Sequence, residues 1–130
     1  MLKFIYLLFS LLNLFNGAWM LLFPNSWYTH LPAAVPHTGP FNAHFIRDLG
    51  VAFLVAGVAF AWSARNLDRS YPVHIGLTIF FCGHALIHLV DIATGHLPAT
   101  HWLIDLPGVF LPALLMIALA VPSVRRKLTT

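Results

Sequence analysis

The stretch FNAHFIRDLGVAFLVAGVAFAWSA, residues 41–64, decides the fold. From Leu49 onward it carries no charged side chain and only one hydroxyl, over a length close to the roughly 20 residues that cross a bilayer as a helix. Gly50, Ala52, Ala56, Gly57, Ala59 and Ala61 recur through it. Small residues of this kind let helices approach closely in lipid. Its opening residues are of another kind: Asn42, His44, Arg47 and Asp48 stand where a lipid-buried helix should carry none.

Three further apolar runs flank this one, and together they predict spans at about 4–23, 41–64, 71–93 and 102–121. Pro24 ends the first and Pro122 the last, since proline supplies no backbone donor. The loop from Leu31 to Pro40 is rich in proline and glycine. Pro107 and Pro112 inside the fourth run predict a bend. The expected fold class is therefore all-α, a single integral membrane domain of four helices. Composition agrees: of 130 residues, 59% are hydrophobic and 8% charged, against about a quarter charged in an ordinary soluble domain. The first run follows Lys3 as a signal peptide would, but it is long and lacks a small-residue cleavage site, so a retained helix is expected.

Basic residues set an expected orientation. Lys3 precedes span one, Arg65 and Arg69 lie between spans two and three, and Arg125, Arg126 and Lys127 follow span four. The loops 24–40 and 94–101 hold no Lys or Arg. The positive-inside rule then places both termini in the cytoplasm, with Trp19, Trp27 and Trp102 near the opposite interface. A bacterial inner membrane is the expected setting. The net charge of +3 belongs to this pattern and implies no nucleic-acid partner. Cys82 alone permits neither an intrachain disulfide nor a multi-cysteine metal cluster, and is expected to be an apolar filler.

Intramembrane polar residues carry the functional expectation, because an ionisable group in lipid costs from about 2.5 kcal/mol upward and usually marks a site. Counting along the helices puts His44, Arg47 and Asp48 of span two, His84, His88 and Asp91 of span three, Asp105 of span four and Asn16 of span one in one layer. That layer lies in the half of the bundle facing the periplasm. His84 and His88, at i and i+4, form a bidentate pair, and His44 and Asp48 repeat the spacing. Imidazole with carboxylate suits a transition metal such as zinc, iron or copper. The expected metal ligands are His44, Asp48, His84 and His88. Asp91 and Asp105 act as ligands or orient them, and Arg47 anchors a substrate or balances the carboxylates. A haem held between His44 and His84 or His88 is the less favoured cofactor, since His44 stands at a helix end. A metal-free functional site and a purely structural network are the alternatives. His30, His37, His96 and His101 are expected to be solvated loop residues that together could funnel protons or metal toward the layer. His74 is expected at the cytoplasmic interface.

The segment Asn42-Ala-His-Phe-Ile-Arg-Asp-Leu-Gly50, with the Ala/Gly-rich helix to Gly57, resembles the second helix of DoxX-like four-span membrane proteins. That resemblance rests on Arg47, Gly50, Gly57 and the layout. It implies a bundle of the same kind and, as for some members, association with membrane redox complexes or quinone chemistry. The set His84-x-x-x-His88-x-x-Asp91 lies outside the family pattern. The functional expectation is a small membrane protein with a metal or catalytic centre acting on a small or hydrophobic substrate, by redox or hydrolytic chemistry. The lipid bilayer is its first partner, a small molecule or ion its ligand, and self-association or docking into a membrane complex its other expected contact. A proton, ion or solute transporter and an accessory subunit are the competing classes. No nucleotide loop, dinucleotide fingerprint or nucleophile elbow is present.

Overall fold

The computed structural model describes residues 1–129. Those residues form helices and loops, with no strand among them. Helix α1 spans Leu2–Leu22, α2 Pro24–His30, α3 Ala43–Arg65, α4 Tyr71–Ala93, α5 His101–Ile104, α6 Leu111–Ala120 and α7 Pro122–Thr129. Helices α1, α3 and α4 are each long and apolar enough to cross a membrane. A fourth crossing results if Leu106–Ala120 and α7, bent by 89°, count as one span.

Helix ends follow local chemistry. Asn42 caps α3, its side chain accepting from the Phe45 N–H at 3.1 Å, which satisfies one of the free donors of the first turn. Pro24 starts α2 and Pro122 starts α7, where a missing N–H costs nothing. Val121, the residue before Pro122, is extended with ψ 119°, as crowding by the proline ring requires. Helix α4 is followed by Gly95 at φ 78°, a backbone region in which glycine is favoured.

The fourth run departs from a simple bend. Residues Leu106–Phe110 form a π-helical stretch between α5 and α6. The Asp105 carbonyl accepts from Val109 N at 2.8 Å and Phe110 N at 3.2 Å. Pro107 and Pro112 both lack donors, and the wider turn absorbs the interruption.

Two packing contacts build the bundle. Helices α1 and α3 meet closely through Gly17, Gly50 and Gly57. A Cβ at Gly17 would lie 2.6 Å from the Gly50 carbonyl oxygen, and one at Gly57 would lie 2.7 Å from Leu14 Cγ. Helix α4 packs on α6. Between the pairs lies an aromatic layer in which Phe9 and Phe60 rings are 5.3 Å apart and Phe60 and Phe81 rings 5.9 Å. Met116, Leu77 and Val109 extend that core. A second cluster of Met20, Trp27, Val35 and Ile46 ties the 24–40 segment to the bundle. Trp27 is buried there and donates to Asn16 Oδ1 at 2.8 Å. Trp27 and Asn16 therefore secure each other.

The opposite end buries two polar side chains. His74 is fully buried, with Nε2 3.0 Å from the Met116 carbonyl oxygen and its ring against Tyr6. Arg125 is also buried, donating to the Tyr6 hydroxyl at 2.5 Å, to Ser70 Oγ, and to the Leu67 carbonyl at 3.4 Å. The right-angle turn into α7 folds this residue back under the bundle. Counting along a straight helix would have left it in solvent.

Candidate functional site

The site is assembled around one carboxylate oxygen. Asp105, at the junction of α5 and the π-helical stretch, places Oδ2 2.8 Å from His88 Nδ1 and 3.0 Å from His101 Nδ1. His101 lies one helical turn before Asp105, so the pair shares a helix face. His88 reaches it from α4. A carboxylate has no proton to give, so both Nδ1 atoms carry one and donate. This fixes both tautomers and leaves both Nε2 atoms as the reactive positions.

His37 continues the chain. Its Nδ1 is 3.0 Å from His101 Nε2. The proton between them sits on either ring: neutral His101 accepts it from His37, and cationic His101 donates it. His37 stands on the short 3₁₀ turn Val35–Thr38, entered through Ala34 at φ 48°. Buried Val35 anchors that turn, and Tyr28 holds its exit by donating to the Gly39 carbonyl at 2.7 Å. At the other end His84 lies against His88, with ring centroids 4.8 Å apart, and against Phe53 at 6.3 Å.

The result is a row running from exposed His37, through fully buried His101 and Asp105, to half-buried His88 and His84. A buried carboxylate is tolerable only when charge-assisted hydrogen bonds replace its water. Two imidazole N–H donors do that here.

Of the residues picked from the sequence, the fold joins His84, His88 and Asp105. It does not join His44, Asp48, Arg47 or Asp91 to them. His44 and Asp48 form their own pair, Nε2 to Oδ2 at 3.3 Å, with side chains 89% and 66% exposed. Arg47 is exposed and its Nε donates to the Leu21 carbonyl at 3.4 Å. Asp91 contributes its backbone carbonyl, accepting from Leu97 N at 3.0 Å in the turn after α4. Helical periodicity put His44 and Asp48 on one face, but that face points away from the bundle. Gly50 and Ile46 take the inward side.

Sequence position alone puts His101 and His37 in solvated loops. The fold buries His101 and bonds the two together. A usable signal existed for His101: its i, i+4 spacing to Asp105 matches that of His84 to His88. A fourth helix that begins at Trp102 hides it. For His37 no sequence signal exists, because its partner lies 64 positions away.

Among the described residues, no group of three or more His, Cys, Asp or Glu side chains is arranged to hold a metal ion. The physical reason is visible at Asp105, where both imidazoles aim Nδ1 at the same oxygen. No protein-family model, curated protein or solved structure matches the chain.

Proposed function

We propose that this is an integral membrane protein in which Asp105 holds His88 as a general acid–base that exchanges a proton through Nε2 with a substrate bound beside His84 within the bundle, while His101 exchanges its own proton with His37. The observation that carries this reading is the single buried Asp105 oxygen shared by two Nδ1 donors. Such sharing orients both imidazoles and leaves each with one nitrogen free for proton exchange, the arrangement general acid–base work requires. Membrane insertion is supported by the apolar helices and by large side chains exposed along them, Phe4, Leu11, Phe15, Val55 and Ile79 among them. The basic clusters favour cytoplasmic termini, so His37 and the site open toward the periplasmic side of an inner membrane.

Proton exchange at a site, rather than conduction across the membrane, is favoured by the aromatic layer. Phe81 lies on α4 between Thr78 and His84, packed against Phe9 and Phe60. A proton path needs polar groups or water at every step, and this layer interrupts it. Reconstituted vesicles loaded with a pH-sensitive dye should show no proton flux above protein-free vesicles. Histidine ¹⁵N NMR in nanodiscs should show Nδ1-protonated His88 and His101, altered together by Asp105→Asn. Sustained flux, or independent behaviour of the two rings, would sink the proposal.

A second reading retains the metal. His88, oriented by a carboxylate at Nδ1, has the geometry of a histidine that ligates through its other nitrogen, and His84 is one turn away. Zinc titration followed in the same NMR spectra decides it. Stoichiometric saturation confined to His84 and His88 supports a metal site, and broadening of the exposed histidines alone rejects it.

A further inference from the structure

We infer that the turn joining α3 to α4 binds the phosphate of an anionic membrane lipid, held by Arg65 and Arg69 with buried Arg125 behind them. This rests on the membrane insertion proposed above and not on the proton exchange at the other end of the bundle.

Arg65, Asn66, Leu67, Asp68 and Arg69 line a recess of about 180 Å³. One water takes up about 30 Å³ of liquid, so a phosphate group fits with part of its hydration. The walls are fixed before any ligand arrives. Asn66 Nδ2 donates to the Trp62 carbonyl at 2.9 Å, and Ser70 Oγ donates to the Leu67 carbonyl at 2.7 Å. Arg125 donates to the same Leu67 carbonyl and to Ser70 Oγ. A turn held this way has little ordering left to lose on binding.

The charges here are unbalanced. Arg65 commits one donor, to the Ala61 carbonyl at 3.4 Å, of the five a guanidinium carries. Among the described residues, Arg65, Arg69 and Asp68 form no ion pair. Arg125 carries the argument furthest. It is 9% exposed, yet its hydrogen bonds go only to neutral oxygens, of Tyr6, Ser70 and Leu67. The rings of Tyr6 and Tyr71 lie 5.7 and 5.6 Å from its guanidinium carbon. A buried charge ordinarily has a counter-charge, and no carboxylate among the described residues supplies one. Its field, which salt screens less than that of an exposed charge, adds to that of Arg65 and Arg69 through the turn it is bonded to. Lys3, Arg126 and Lys127 bring the same sign to this end, and Asp68 is the one acidic side chain against them.

Depth selects the source of the anion. Helices α3 and α4 have 23 residues each, about 34 Å at 1.5 Å per residue, slightly more than a hydrocarbon core of about 30 Å. When both cross, the turn between them lies among the headgroups. Trp62 and Tyr71, 42% and 40% exposed on either side of the turn, are residues favoured at that level. The anion abundant there is the lipid phosphodiester, and basic residues at the membrane surface attract lipids of net negative charge. A choline lipid carries the same phosphate with a cation attached, which Arg65 and Arg69 repel.

The test is native mass spectrometry of the full chain released from dodecyl maltoside micelles carrying dioleoylphosphatidylglycerol or dioleoylphosphatidylcholine. Phosphatidylglycerol should bind roughly tenfold or more tightly than phosphatidylcholine. Arg65→Gln and Arg69→Gln should each weaken its binding about fivefold. Asp68→Asn should tighten it. Arg126→Gln, exposed on α7 outside the recess, should leave it within about twofold of wild type, since surface charges act weakly at a distance. Arg65 and Arg69 are exposed, so these variants keep the wild-type unfolding midpoint. Equal binding of the two lipids overturns the inference. So does a loss in Arg126→Gln as large as in Arg65→Gln, which would mean diffuse surface charge and no site. Displacement of the lipid by an equal concentration of inorganic phosphate overturns the lipid as the source. A chain that stays dispersed without detergent or lipid removes membrane insertion. Equal lipid binding by a chain that needs detergent removes the lipid site alone.

Discussion

Replacing Asp105 by alanine should destabilise the protein by about 3–5 kcal/mol, the cost of removing one partner from a buried ionic cluster. The magnitude can be built from the geometry. Asp105 is 1% exposed and accepts two hydrogen bonds, from His88 and from His101. His101 is fully buried, so its Nδ1–H has no route to water, and an unsatisfied buried donor costs about 1–3 kcal/mol. His88 retains some exposure and recovers part of its loss. Asp105→Asn keeps an oxygen acceptor and loses only the charge assistance, about 1 kcal/mol per bond and about 2 kcal/mol in all. Equilibrium unfolding in mixed micelles measures both variants. Double-mutant cycles with His88→Ala and His101→Ala should give coupling energies of about 1–3 kcal/mol, larger for the fully buried His101. An Asp105→Ala variant within about 0.5 kcal/mol of wild type, the range of neutral surface changes, would refute the shared-carboxylate reasoning. So would additive cycles.

Gly17→Ala should cost about 1–3 kcal/mol by overpacking against the α3 backbone, whereas Gly83→Ala, which meets open space, should gain up to about 1 kcal/mol of helix propensity; thermal unfolding of the two variants side by side checks this. His44→Ala and Asp48→Ala should each change stability by less than about 0.5 kcal/mol and leave the His88 and His101 NMR signals in place, and movement of those signals would reconnect the two groups. Arg125→Ala should cost about 2–4 kcal/mol because it removes the donor to the buried Tyr6 hydroxyl and leaves Ser70 only its bond to the Leu67 carbonyl, and Arg125→Lys should not restore it, since one ammonium cannot reproduce the guanidinium fork; unfolding midpoints of the three proteins decide.

The helices were legible because their signal is local. A run of about 20 apolar residues and its flanking prolines lie within one window, and residues 71–93 coincide with α4 at both ends. The site was legible in part, for the same reason. His84, His88 and Asp105 announce themselves as polar groups inside apolar runs. His44 and Asp48 announce themselves equally and were placed in the same site, because periodicity gives relative angle on a helix and not the direction of the bundle. Direction was available only through the α1–α3 contact, where Gly50 and Gly57 face Gly17 and Leu14. The resemblance noted for residues 42–57 rests largely on these positions, which shape packing and carry no chemistry. His37 was out of reach because its role depends on a loop returning across the bundle end.

The π-helical stretch explains how the fourth run can face α4 throughout. Its buried residues are His101, Asp105, Val109, Ala113, Met116 and Leu119. The first four are separated by steps of four. In a regular α-helix at 100° per residue, each such step over-rotates by about 40°, so Ala113 would sit about 120° around from His101. If Ala113 packed in the core, His101 would then be turned away from it. A wider turn between Asp105 and Phe110 takes up that drift and keeps all four residues on one side. Pro107 and Pro112 favour the wider turn by removing the donors of a regular ladder. The prolines that read as a bend in the sequence thus serve a more particular end. They aim Asp105 at His88 while Val109, Ala113 and Met116 still fill the core beneath it.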